Sequence, residues 1–120
     1  MTYKIAVASS DGRVVNQHFA AATHFAIFEI GEGGDYRFVE LREALPIRTG
    51  ISRNGQGLEY MAEVIRDCQA VLVSWVGPGT VRVLRSKGIE AAEIPHYIPE
   101  AIMAYVNAVG RKHQKARADR

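Results

Sequence analysis

A chain of 120 residues at 48% hydrophobic content has the size of one globular domain with its own core. Its net charge of +2 is unevenly spread: the last ten residues, RKHQKARADR, hold five Lys/Arg and one Asp, leaving ten basic and twelve acidic residues in the body. No run approaches the ~20 apolar residues of a membrane span, and the single cysteine, Cys68, excludes an intrachain disulfide, a Cys-x-x-Cys redox pair and a four-thiolate iron–sulfur cage.

The N-terminal stretch MTYKIAVASSDG is too short in apolar residues for a signal peptide, so a cytoplasmic location is expected. Within it, Tyr3–Ala8 is apolar and β-branched and stops at Ser9-Ser10-Asp11-Gly12, the pattern of a strand entering a turn. Residues 13–19 read as a brief second extended segment. His24–Ile30 is rich in Phe and Ile and predicts a strand; Gly31–Asp35 breaks it, and Tyr36–Arg42 resumes as the second arm of an antiparallel hairpin. From Glu43 to Gly57 one Pro, three Gly and scattered Ser, Thr and Asn predict a long loop.

The second half alternates helix and strand. Leu58, Met61, Ala62 and Ile65 recur at helical spacing and predict a helix over 58–67. Ala70–Val76 is a continuous apolar run of the kind buried on both faces of a parallel sheet. Gly77-Pro78-Gly79-Thr80 turns the chain into a helix over 81–87 that Gly88 caps. Ile89–Ile94 is a weaker strand. Pro99 and Glu100 suit the first turn of a last helix, with Ile98, Ile102, Tyr105 and Val109 as its apolar stripe. This order predicts one three-layer α/β domain over residues 1–110 with a mixed sheet, part of one face lacking helices, followed by a basic tail over 111–120.

Few residues carry chemistry. Gly77 and Gly79 lie where a buried strand feeds a helix, the place where α/β sheets bind ligands and where backbone N–H groups hold anions; neither nucleotide fingerprint is present. Arg48 and Arg53 sit among the glycines of the long loop, where guanidinium groups can cap an anion. Cys68 reads as a small buried hydrophobe. His96 falls just past a strand's carboxyl end, and His113 belongs to the tail. His24 begins a strand and reads as packing, whereas His18 lies in a polar connection, where an exposed imidazole can bind a transition metal. A nuclease would need several carboxylates converging on metal ions; Asp11 in a turn, with Glu29 and Glu40 on alternating strand surfaces, does not form such a set.

Ser10-Asp11-Gly12, then His18-Phe19 and a strand ending at Phe28-Glu29-Ile30, together with Asp67–Leu72, Val76-Gly77-Pro78-Gly79, Leu84 and Lys87-Gly88-Ile89, resemble the dinitrogenase iron–molybdenum cofactor biosynthesis family, which takes in NifX, NafY and the C-terminal domain of NifB. The resemblance covers residues 3–106. It implies a ribonuclease-H-like fold with a mixed five-stranded sheet and no catalytic role. It further implies carriage of an iron–molybdenum cofactor or iron–sulfur cluster precursor, with His18 as the metal ligand. The partners so implied are cofactor-assembly proteins or apo-nitrogenase in a nitrogen-fixing cell; neither membrane nor nucleic acid is expected. Where the family follows His-Phe with Gly, this chain has Ala20, which requires a negative φ at that position. A cluster handed onward is better held by one or two ligands than by a cage, and Arg48, Arg53 and the amides of Gly77–Thr80 could offset its charge. The competing expectation is a regulatory or protein-interaction module of the same fold without metal.

Overall fold

The computed structural model describes residues 2–44 and 56–118. Five strands form one mixed sheet in the order β3-β2-β1-β4-β5, with β1 at Tyr3–Ala8, β2 at His24–Ile30, β3 at Tyr36–Glu43, β4 at Ala70–Val73 and β5 at Glu90–Glu93. β1, β2 and β3 pair antiparallel, while β4 joins β1 and β5 joins β4 in parallel. Helices α1 (Gln56–Val64) and α2 (Pro78–Ser86) pack on one face and α3 (Ile98–Ala118) on the other.

The two faces follow from the period-2 alternation of side chains along each strand. Ala6 and Ala8 of β1, Phe25 and Ile27 of β2 and Val71 and Val73 of β4 point toward Met61, Ala62 and Ile65 around α1 and Leu84 of α2. Their neighbours Ile5, Val7, Ala26, Phe28, Ile30 and Leu72 meet Ile98, Ala101, Ile102 and Tyr105 of α3. With both faces covered, β1 and β4 carry unbroken apolar runs, as the parallel-sheet reading requires. β3 differs: Phe38 and Leu41, on the α3 side, are 55% and 56% exposed, so that face is open at its β3 end as the sequence implied.

Several element ends depart from expectation. Residues 13–19 form no strand, because their backbone groups bond to three different neighbours instead of one ladder. Val15 N–H donates to the His96 carbonyl, Gln17 N–H to that of Ala8 and Phe19 N–H to that of Trp75. β4 stops at Val73 and not at Val76, since the Ser74 N–H turns away to the Gln17 carbonyl. α2 begins three residues earlier than expected, with Pro78 in its first turn, where a missing N–H costs nothing. Gly88 caps it at φ +79° as predicted.

One ion-pair cluster ties the edge strand to the first helix. Arg42 Nη1 and Nη2 donate to Asp67 Oδ1 and Oδ2 at 2.6 and 2.8 Å, and Nη1 also reaches the Val64 carbonyl at the end of α1. These bonds hold the Asp67 carboxyl well below the usual carboxylate range. A depressed folded pKa means that the pair stabilises the fold above the unfolded value of about 4 and loses that contribution progressively below it. Because Asp67 is two-fifths exposed, Asp67→Asn is expected to lower stability at neutral pH by only about 1 kcal/mol. Urea melts at several pH values should show the gap between variant and wild type closing as the pH falls below about 4.

Candidate functional site at the carboxyl ends of the parallel strands

The loops leaving β1, β4 and β5 meet at one end of the sheet, and the loop after β1 is built by its own short polar side chains. Asp11 Oδ1 accepts from the N–H groups of Arg13 and Val14 at 2.8 and 3.1 Å and from Ser9 Oγ at 3.1 Å. The Gly12 N–H donates to Ser9 Oγ, with Gly12 at φ +73°. The backbone donors lower the Asp11 pKa and commit its carboxylate to the turn. Glu29 is paired with Arg37 and Glu40 with Arg42, so the three carboxylates weighed for a nuclease each serve a separate partner.

The turn delivers two adjacent residues to opposite environments. Phe19 is 1% exposed, its ring 5.9 Å from that of Phe25 within the core cluster on the α1/α2 face. His18, immediately before it, is exposed. A short 3-10 turn at Phe19–Ala21 follows, closed by the Ala21 N–H to the His18 carbonyl and the Ala22 N–H to the Phe19 carbonyl. Among the described residues only glycines have positive φ, so Ala20 sits in its turn without backbone strain and the requirement set by its alanine is met.

His18 has company that sequence reasoning missed. Trp75, just past β4, forms a parallel backbone bridge with it, and the two rings lie 5.5 Å apart at 50°. Glu93 at the end of β5 accepts the Val76 N–H at 2.9 Å and so tethers the segment between β4 and α2. Gly77 is the N-cap of α2 and makes no side-chain cap bond, which leaves the first N–H groups of that helix without a partner from the cap. Glu93 left no sequence signal, whereas a lone tryptophan between an apolar strand and Gly-Pro-Gly was a visible one.

The remaining candidates separate. His24 begins β2, half-buried, with its Nδ1 3.0 Å from Thr23 Oγ1, which Gln17 Nε2 also reaches; it packs, as expected. His96 lies at the same end of the sheet as His18, its carbonyl bonded to Val15 and its Nδ1 accepting the Tyr97 N–H. Cys68 is buried, and burial together with the Asp67 carboxylate pushes its thiol up to about 12, so it stays protonated and inert. Arg48 and Arg53 lie outside the described residues. Among the described residues no three His, Cys, Asp or Glu side chains gather as a metal cage. A cleft of about 510 Å³ beside α2 and β5 is lined by Arg85 and Glu90, and another of about 780 Å³ by Arg13, Tyr36 and Tyr97; His18 lines neither and stands on an open rim.

The class is a mixed α/β domain whose parallel strands present at one end two exposed imidazoles, His18 and His96, with Trp75 beside His18 and the start of α2 next to Trp75. The chain belongs to the dinitrogenase iron-molybdenum cofactor family, whose model matches residues 1–108. It is 38% identical over 101 residues to the FeMo cofactor biosynthesis protein NifB of Frankia alni, covering 82% of this chain and 20% of that one. To the NifB of Chlorobaculum tepidum it is 34% identical over 110 residues, covering 91% and 25%. The chain thus spans only a fifth to a quarter of those relatives. Among solved structures, PH0822 superposes with a TM-score of 0.66 at 23% identity, over 88% of this chain and 91% of that one. MJ0327 of Methanocaldococcus jannaschii does so with 0.55 at 13%, over 90% and 91%. These two likenesses show the fold. Among the described residues no helix is long and apolar enough to cross a membrane.

Proposed function

We propose that this domain binds an iron–sulfur-type metallocluster, the iron–molybdenum cofactor or a precursor of it, and carries it during cofactor assembly or delivery. The observation that carries the reading is the exposed His18 imidazole at the carboxyl ends of the parallel strands, in a chain of this family. One imidazole gives a cluster a single protein ligand, which suits cargo that must leave again. The amides at Gly77 and Gly79 supply donors toward an anionic cluster, as do Arg48 and Arg53 in this reading. The strand order β3-β2-β1-β4-β5, with its antiparallel first half, supports the ribonuclease-H-like assignment. A cytoplasmic setting, and hand-over to assembly proteins or apo-nitrogenase, belong to the same proposal, as does a division into a domain over 1–110 and a basic tail over 111–120.

Anaerobic titration with isolated iron–molybdenum cofactor tests it. Trp75 is the chain's sole tryptophan and stands beside His18, so binding is expected to quench its fluorescence. His18→Ala should weaken the affinity by at least about tenfold, by the scale on which single site residues support metal binding. Equal affinity in the two proteins removes His18 from the site. A second reading, a regulatory or protein-interaction module without metal, is favoured by the exposed apolar pair Phe38 and Leu41 on the edge strand. Absence of any cofactor binding by the wild-type chain would favour it.

A further inference from the structure

An indole that is 52% exposed on a polar loop rim leaves a large apolar surface in water, and the core does not require it there. What does hold Trp75 is specific. The Ser74 N–H donates to the Gln17 carbonyl at 3.0 Å and the Phe19 N–H to the Trp75 carbonyl at 3.2 Å, so the backbones on either side of His18 and Trp75 are clamped together. The Glu93 carboxylate fixes the next residue, Val76. The indole edge also reaches the α2 cap, where a Cβ added to Gly77 would sit 3.5 Å from Trp75 Cη2. One side chain therefore touches both parts of the proposed site, the imidazole and the Gly77 loop.

We infer that Trp75 is the positioning residue of the His18 site: its indole limits the orientations open to the imidazole and forms the wall against which a bound cluster rests. This rests on the cluster-binding reading of His18. An exposed histidine with free χ1 and χ2 must lose that freedom when it ligates a metal, and a ring already packed against an indole has lost part of it beforehand. The expected consequence is tighter binding without a second metal ligand. Trp75 itself supplies no donor of the kind that ligates iron, since its only polar atom is an N–H.

The test is a double-mutant cycle with a ligand-free arm. In titrations with isolated iron–molybdenum cofactor, read by the cofactor's own electron paramagnetic resonance, Trp75→Ala should lose about tenfold in affinity. Trp75→Phe should recover most of that, and Trp75→Ala should lose clearly less in a His18→Ala background than in the wild type. Unchanged affinity in Trp75→Ala, or an equal loss in both backgrounds, overturns the positioning role. In the ligand-free arm, NMR of the His18 ring protons in wild type and Trp75→Ala reports the indole's ring current. A downfield movement on removing the indole supports the packing, and unchanged shifts overturn the inference whatever the cofactor does. Equal affinity of wild type and His18→Ala overturns the cluster-binding reading instead, and the ring-proton shifts tell the two failures apart.

Discussion

Phe19→Ala is expected to cost about 3–5 kcal/mol of stability, the range for truncating a fully buried phenylalanine. The ring is 1% exposed, lies against Phe25 and belongs to the core beneath α1 and α2, so its loss leaves a cavity that the surrounding β1, β2 and β4 side chains cannot readily fill. A domain of this size has only about 5–15 kcal/mol in total, so the urea midpoint should fall by a large fraction. The effect is also functional. Phe19 is the anchor from which His18 is held outward, and its N–H completes the bridge to Trp75. In the folded fraction of Phe19→Ala, cofactor affinity should therefore fall as well, and titration at low temperature without denaturant checks this.

Ile102→Ala is the matched contrast, with an expected loss of about 2–5 kcal/mol. Ile102 is fully buried on the other face, where Ile98, Ala101 and Tyr105 of α3 supply the cover for β1 and β4. Its cavity would lie in the α3-side core, which the His18 loop enters only through Val15, and not in the core on the other face where Phe19 anchors His18. Stability should drop by nearly as much as in Phe19→Ala, while cofactor affinity of the folded protein stays at the wild-type value. If both variants lose affinity alike, the site depends on global stability and not on the local anchor. Denaturant melts and cofactor titrations on the same two proteins decide it.

The difference between these two residues shows where sequence reasoning reaches. Ile98, Ile102 and Tyr105 repeat at helical spacing, so the helix and its buried face followed from periodicity alone, and in α3 they are 4%, 0% and 3% exposed. Likewise the apolar run Ala70–Val76 announced a strand covered on both sides, which holds over Ala70–Val73, and Gly88 announced a cap that needs positive φ. These signals are local: each depends on residues within a turn or two along the chain. The polar stretch between Asp11 and Phe19 carries no period, and its conformation is set by bonds to Ala8, Trp75 and His96, from 9 to 81 residues away in sequence. No local pattern encodes such pairings, and for that reason the segment read as extended when it is an irregular loop.

The candidate site divides in the same way. An exposed polar histidine after a strand and a Gly-Pro-Gly at a strand-to-helix junction were visible in the sequence, and so was the family. That Trp75 packs on His18 and that Glu93 ties down the loop before α2 were not visible, because each arises only when β1, β4 and β5 lie side by side. The sequence by itself determined most of the strands and helices, which of their faces are apolar, and that His18 stands in an open loop. The tertiary structure decided what that histidine stands beside, since parallel strands distant in sequence bring their carboxyl-end loops together only through the sheet.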